Sequence, residues 1–585
     1  MEILCKVFLV LLLFAVVAPE LGCASHNVRI FAPSLSRLAA SAASAASQPY
    51  RTSFHFQPPK NWMNDPNGPM FYNGYYHLFY QWNPYAAVWG NITWGHAVST
   101  DMIHWDILEL ALVPDQWYDQ YGCWSGSATF INGKPVLLYT GWSNVSFSRD
   151  NQVQMQAMAI AANYSDPLLR EWTKLPQNPI LTAPVGINST KFRDPTTAWL
   201  GEDGKWRMII GAKRKHRGVA LLYRSSDFIQ WEKAKHPLHT VALTGMWECP
   251  DFYPVPASAS ITGLDTSANG PHVKHVLKVS LDDTKHDYYT VGTYITSSDS
   301  FIASNANLDA GLGLRYDYGK YYASKTFFDS KKNRRILLGW VNESSSELAD
   351  IAKDWSSLQA FPRIVWLDEE DNDRLLQWPI EEIEMLRKEK FSLKSSQIDK
   401  GATVKVEGVK SAQLDVLVDF ELPQLNGAEE MVVNTNNAQQ LCSVRGATRS
   451  GVLGPFGLLV LASEDLSEQT AVFFYIMSNG EGKWNALICN DQSRSTLAAD
   501  TDKTPYGSFI PLSGMEKTLS LRVLVDHSIV ETFAQGGKVC ITSRVYPTKA
   551  IEDKAQLYLF NNGSVPVHLR ELTAWDMETV HIGSI

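Results

Sequence analysis

Charge is scarce in this 585-residue chain: Asp, Glu, Lys and Arg make up only 19% of it, with a formal net charge of −9. An acidic balance with an isoelectric point near 5.9 argues against nucleic acid or any other polyanion as a partner. Metal-ligand spacing is missing too. No Cys-x-x-Cys or His-x-x-x-His cluster occurs, so no metal and no other cofactor is expected. Cysteines number seven. Beyond the N-terminal end no apolar run reaches the roughly 20 residues of a membrane span. What the chain does have is aromatic surface, 11% of residues including 19 tryptophans, a balance that favours β-strands and stacking faces over helical bundles.

The first 24 residues carry Lys6, the apolar run Val7 to Ala18 and the small residues Gly22, Cys23 and Ala24, the pattern of a cleavable secretory signal. Residues 25–49 read as an Ala/Ser-rich leader. Secretion gives meaning to six Asn-x-Ser/Thr sequons, at Asn91, Asn144, Asn163, Asn188, Asn342 and Asn562. Cys5 and Cys23 leave with the signal. The odd set Cys123, Cys249, Cys442, Cys489 and Cys540 remains, with one thiol expected to be unpaired.

From residue 50 one phrase recurs five times: an acidic or polar start, an apolar strand, a hairpin turn and a second strand. The units open at Asp65, Ser125, Asp194, Glu248 and Tyr322, and the first two turn at Asn73-Gly74 and Asn132-Gly133. A second phrase, Ser and Asp followed by Trp, recurs at Ser99/Asp101/Trp105, Ser165/Asp166/Trp172 and Ser225/Asp227/Trp231. This periodicity predicts an all-β protein, a five-bladed β-propeller over 50–377, with the first strand of each blade lining the axis. A connector is expected over 378–395. Residues 396–585 alternate at the spacing of a β-sandwich. Cys442 and Cys489 fall in this half and are the preferred disulfide, leaving Cys540 free; other pairings remain open to sequence.

Asp65, Asp194 and Glu248 each stand at the head of a different inner strand, so strands converging on an axis would bring three carboxylates together. Taken singly, Asn64-Asp65-Pro66-Asn67-Gly68 is an ordinary turn sequence. Taken together, they suit glycoside hydrolysis, which needs one carboxyl protonated and another ionised. Arg193, next to Asp194, is expected to keep Asp194 ionised. The apolar neighbours Trp247, Cys249 and Pro250 are expected to raise Glu248 toward a general acid's pKa.

The motifs His55 to Gly68, Phe192-Arg193-Asp194-Pro195 and Trp247-Glu248-Cys249-Pro250-Asp251 closely resemble the plant acid invertases and fructan hydrolases of glycoside hydrolase family 32. Trp89-Gly90-Asn91, the run Gly122 to Thr129, Tyr321 to Thr326, Val525-Asp526-His527-Ser528 and Glu531-Thr532-Phe533 extend the likeness over essentially the whole mature chain. The resemblance implies that Asp65 is the nucleophile, Glu248 the acid/base and Asp194 the stabiliser of the transition state. The reaction would retain configuration through a covalent fructosyl-enzyme, with Asp65 and Glu248 carboxyls roughly 5 to 5.5 Å apart. It further implies an aromatic wall of Trp62, Trp89 and Trp124, polar contacts from Asn64, Gln81 and Ser125, a role for Arg193, and a leaving-group pair Asp282 and Lys285 associated with sucrose.

Sucrose is therefore the first expected substrate. Fructans are the alternative, supported by the acidic isoelectric point. A non-catalytic sugar-binding relative is a third reading, which the presence of all three carboxylates disfavours. Pro250 resembles the cell-wall branch, where vacuolar relatives carry valine, so the wall or apoplast is the expected location and the vacuole the alternative. A small proteinaceous inhibitor is an implied partner.

Overall fold

The Asn-Gly turns form as their chemistry requires. In the computed structural model, which describes residues 48–144, 152–258, 260–431, 437–480 and 482–584, Asn61–Tyr72 and Tyr75–Trp82 pair antiparallel across Asn73 and Gly74. Gly122–Ile131 and Lys134–Asn144 do the same across Asn132 and Gly133. All four turn residues have positive φ, between 45° and 91°, the left-handed pair that a two-residue hairpin demands. The signal segment, Cys5, Cys23 and the leader up to residue 47 lie outside the described residues.

Five successive sheets, antiparallel except for the short parallel strands Trp355–Ser356 and Ile582–Ser584 at the edges of the first, are headed by the strands that open the repeated units. The Ser/Asp/Trp phrase folds into one repeated turn at its first and third occurrences; at the second, Asp166 accepts the Leu168 and Arg170 N–H groups instead and the Trp172 indole N–H has no partner among the described residues. Ser99 Oγ accepts the Met102 N–H and Asp101 Oδ1 accepts those of Ile103 and His104. Ser225 and Asp227 repeat this with Phe228, Ile229 and Gln230, and Trp105 and Trp231 each donate the indole N–H back into the turn.

Segment Trp355–Gln359 ties the last of these sheets to the first. Trp355 and Ser356 pair parallel with Asn61 and Trp62, while Leu358 and Gln359 pair with Val341 and Trp340.

Two further sheets make the C-terminal half, in strand order Arg387–Ile398, Val567–Met577, Gln413–Glu421, Thr518–Asp526, Ile529–Ala534, Val539–Arg544, and Ala402–Lys410, Gln556–Asn561, Phe456–Ala462, Thr470–Gly480, Lys483–Asp491, Tyr506–Leu512. Their inner faces share one core, with Val416, Val523 and Leu572 from the first meeting Leu458, Phe474 and Ile488 from the second. The expected connector over 378–395 is much shorter. Only the 3-10 turns of Glu381–Leu386 link the halves, and Arg387–Ile398 is a full strand paired along Val567–Met577. Its mostly exposed, charged residues gave it the look of a linker.

Cys442, on helix Ala438–Arg445, is bonded to Cys489. Cys123, Cys249 and Cys540 are all free and buried, three thiols where the odd count implied one.

The two halves meet around a buried histidine. Ser53, Phe54 and His55 donate their backbone N–H groups to the Asp526 carboxylate at 2.7–2.9 Å. The His55 ring lies between Asp526 (2.8 Å) and Glu531 (2.9 Å), and Arg363 contacts Glu531 at 2.7 Å. Burial alone would lower the His55 pKa; bonds to the two carboxylates overcome it and raise the pKa to about 9.

Candidate active site

Each inner strand is irregular at the residue that matters for the site. Register shifts fall between Met63 and Pro66, Trp124 and Gly126, Glu248 and Asp251, and Tyr322 and Lys325. A bulge leaves residues unpaired and re-aims the strand around them: Asp65 and Ser125 are unpaired at theirs, while Glu248 and Tyr322 are the last paired residues before theirs, opposite Ser280 and Trp340, and all four turn toward common space. The third strand, expected to run from Asp194 through Trp199, is broken. Pro195 has no N–H for the ladder and Asp194 has φ 69°, so only Phe192–Arg193 and Trp199–Leu200 are strand.

These irregular segments surround a cavity of about 600 Å³, within the usual range for small-molecule sites. All twelve residues expected from sequence line it: Trp62, Asn64, Asp65, Gln81, Trp89, Trp124, Ser125, Arg193, Asp194, Glu248, Asp282 and Lys285. Gln152, Gln154, Thr190, Lys191, Tyr322 and Trp340 join them. Tyr322 and Trp340 belong to the fifth repeated unit, whose strand-opening position was a signal for the tyrosine.

Neutral donors hold Asp65. Trp62 donates to Asn64 Oδ1 (2.8 Å), and the Asn64 amide donates to Asp65 Oδ1 (2.9 Å) and Gln81 Oε1 (2.7 Å). Gln81 in turn donates to Ser125 Oγ (2.6 Å), and Ser125 donates to Asp65 Oδ2 (2.5 Å). The Cys249 thiol lies 3.2 Å from the same Oδ2. Gln359, on the segment joining first and last sheets, donates to the Asn64 carbonyl at 2.8 Å. Among the described residues no Lys, Arg or His forms an ion pair with Asp65. Burial pushes its pKa up, and the Glu248 charge adds to this against the opposing hydrogen bonds.

Glu248 is held by cations instead. Its Oε1 accepts from Arg193 Nη2 (2.7 Å) and Nε (3.1 Å), and its Oε2 from Tyr322 Oη (2.5 Å) and Lys285 Nζ (3.2 Å). Burial would raise this carboxyl, yet Arg193 and Lys285 outweigh it and the net shift is downward. The expected apolar elevation is therefore overturned by the cations. Trp247, adjacent in a strand, faces the other way into the core and bonds Thr244 Oγ1, because successive strand residues point to opposite faces.

Asp194 also departs from expectation. Burial raises it to about 6, with Arg193 opposing and Glu248 reinforcing the shift. The guanidinium hydrogen-bonds Glu248, Gln154, the Thr190 carbonyl and Asp282 rather than its sequence neighbour. Asp194 Oδ2 accepts the Cys249 N–H at 2.7 Å, so residue 249 touches two carboxylates, one by its backbone and one by its thiol.

At the mouth, Asp282 bonds Lys285 (2.8 Å) and lies 3.3 Å from both Lys191 and Arg193. Burial opposes the effect of these cations, which hold its pKa down at about 2. Lys285 is more than half exposed, its ammonium 5.1 Å from the Tyr322 ring centre. Trp62 packs on Trp340 with ring centres 5.8 Å apart, and Trp89 on Trp124 at 6.1 Å. The result is one cavity lined by three acids, four indoles and a partly exposed ion cluster. Such a site can bind a sugar ring by stacking and divide proton donor from nucleophile. Among the described residues no group of three or more His, Cys, Asp or Glu could hold a metal.

Comparison with known proteins agrees. The sequence matches the glycosyl hydrolases family 32 N-terminal domain over 55–379 and the glycosyl hydrolases family 32 C terminal over 382–576. It is 52% identical to "Beta-fructofuranosidase, insoluble isoenzyme 1" of Daucus carota, over 91% of this chain and 90% of that one. It is 51% identical to "Fructan 6-exohydrolase" of Beta vulgaris, over 91% and 88% respectively. The crystal structure of fructan 1-exohydrolase IIa from Cichorium intybus superposes with a TM-score of 0.88 at 48% identity, covering 92% of this chain and 99% of that one. With its repeated sheets, its three converging carboxylates and both domains matched, the chain belongs to glycoside hydrolase family 32.

Proposed function

We propose that this protein is a secreted, retaining β-fructofuranosidase that cleaves sucrose to fructose and glucose. The observation that carries the reading is the meeting of Asp65, Asp194 and Glu248 in the lining of one indole-walled cavity, the first held by neutral donors and the last by cations. Asp65 attacks the anomeric C2 of a β-fructofuranosyl unit as Glu248 gives its proton to the departing glycosidic oxygen. The glycosidic bond breaks and an ester to Asp65 forms. Glu248, ionised, then takes a proton from water, which attacks C2 and frees fructose with retained configuration. Asp194 binds ring hydroxyls and stabilises positive charge at C2.

The cations on Glu248 give the leaving group a part in this chemistry. Arg193 and Lys285 favour the carboxylate. A leaving sugar whose hydroxyls draw Lys285 toward themselves and Asp282 removes one of them, and the buried Glu248 then takes up a proton. The same pair supports sucrose over fructan as the preferred substrate, since it matches the leaving-group pair associated with sucrose.

The five sheets are read as blades of a five-bladed propeller over 50–377, and the two C-terminal sheets as a β-sandwich beginning at Arg387. The N-terminal pattern and Pro250 support secretion to the wall or apoplast; among the described residues no helix is long and apolar enough to cross a membrane. Asn91, Asn163, Asn188 and Asn342 are exposed and open to glycosylation. Asn144 is buried, and the Asn562 amide donates to the Ala447 carbonyl, so neither can take a glycan without rearrangement. A small proteinaceous inhibitor as partner rests on the family resemblance alone.

Fructose release from sucrose, inulin and levan, measured with wild type, Asp65→Ala and Glu248→Ala, tests the reading. Rapid release from sucrose by wild type and none by the folded variants is expected. Substantial turnover by both variants would sink the assignment.

A further inference from the structure

Large aromatic side chains are normally covered, yet a connected set of them leads out of the cavity and is not. Trp124, on the cavity wall, packs against Trp142 with ring centres 5.0 Å apart, and Trp142 lies 6.3 Å from Trp89 and 5.6 Å from Tyr121. Trp142 is outside the cavity lining and half-buried, while Trp89 is 50% and Tyr121 42% exposed. The backbone fixes the arrangement: the Tyr121 N–H donates to the Trp142 carbonyl at 3.1 Å, and Gly122 and Trp142 are register partners in the second sheet. The rings therefore form a tilted shelf beginning at the cavity rim and running outward across that sheet.

We propose that this shelf binds the part of a fructan chain that lies beyond the bond being cleaved, with Trp142 under the unit that follows the leaving-group sugar and Tyr121 under the next. The occupant follows from continuity with the cavity. The fructosyl unit must reach the buried carboxylates, so the rest of a longer substrate extends toward the exposed part of the lining, where Trp89 is 50% exposed. The aromatic shelf begins beside the ion cluster of Asp282, Lys285 and Lys191, since the Trp124 ring centre lies 6.0 Å from the Arg193 guanidinium that also contacts Asp282, and its ring faces suit the apolar faces of sugar rings. Ring spacing on the scale of one sugar unit lets successive units sit on successive rings. The inference rests on the hydrolase reading and deepens it, adding fructo-oligosaccharides to sucrose as substrates.

The test is kcat/KM of the full chain for sucrose, a fructosyl-sucrose trisaccharide and the corresponding tetrasaccharide, in wild type, Trp142→Ala, Trp142→Phe and Tyr121→Ala. A lost ring contact of this kind amounts to about a three- to tenfold effect. Trp142→Ala should lose that factor on the trisaccharide and tetrasaccharide beyond any loss on sucrose, and Tyr121→Ala on the tetrasaccharide alone, with Trp142→Phe recovering most of the loss. A loss equal at every chain length would overturn the proposal, since Trp142 would then only brace Trp124. No loss at all would overturn it too, and leave the shelf to a protein partner. Wild type that cleaves sucrose but no longer saccharide also refutes the shelf, whereas wild type that cleaves none of the three refutes the hydrolase reading instead.

Discussion

Replacing His55 by glutamine tests how the two halves are held together. In the wild type the ring is fully buried between Asp526 and Glu531, with Arg363 and Asp317 behind Glu531. Its pKa rises from 6.5 to about 9 in the fold, a difference equivalent to about 3 kcal/mol. For a base whose folded pKa is raised, that stabilisation is complete below the unfolded pKa of 6.5 and is lost as pH climbs through the folded value of 9. Glutamine cannot titrate, so His55→Gln removes this slope. Urea unfolding followed by tryptophan fluorescence should therefore show wild type well ahead of the variant near pH 6, with the advantage shrinking by about 3 kcal/mol by roughly pH 9.5. Stability curves that stay parallel over that interval would show that His55 is neutral in the fold and refute the reasoning.

Three other outcomes follow from the geometry. Lys285→Met should raise the Glu248 pKa and move the alkaline limb of the pH–kcat/KM profile upward, by less than about one unit because the lysine is largely solvated; a downward move would contradict the cation argument. Asp194→Asn should abolish turnover yet stabilise the fold, because ionising a carboxyl raised to about 6 costs the wild type stability as pH rises from its unfolded 3.8 to 6. The gain, about 3 kcal/mol above pH 6, should vanish below pH 3.8 in denaturant titrations. Cys442 and Cys489 are separated by 47 residues, a loop whose closure is worth about 4 kcal/mol in the chain-entropy account; Cys442→Ser should lower the urea midpoint of the C-terminal half by a corresponding amount.

Where the sequence was legible, the information was local. Asn-Gly pairs have one cheap hairpin geometry, so the first two units could be placed, and the Ser/Asp turns before Trp105 and Trp231 follow from side-chain caps within five residues. Strand-opening positions were legible as well, which is why Asp65, Asp194 and Glu248 could be assigned to one cavity. The rest depended on where side chains point. Trp247 cannot desolvate Glu248 because it faces the opposite side of the strand, and Lys285, 37 residues away, reaches it through the fold. Arg193 looked like a partner for Asp194 and instead grips Glu248. The strand Arg387–Ile398 read as a connector because it lies at a sheet edge with most side chains in water.

The central claim is that Asp65 becomes esterified to fructose and that Glu248 manages the protons. Its most direct measurement is intact-protein and peptide mass analysis of Glu248→Gln quenched during turnover of a fructoside with an activated leaving group, which needs no acid for the first step but still needs a base for the second. The account predicts an added fructosyl residue on the peptide carrying Asp65, absent from Asp65→Asn and slowly removed by azide. An unmodified protein during continuing turnover, or a fructosyl group on any other residue, would contradict it.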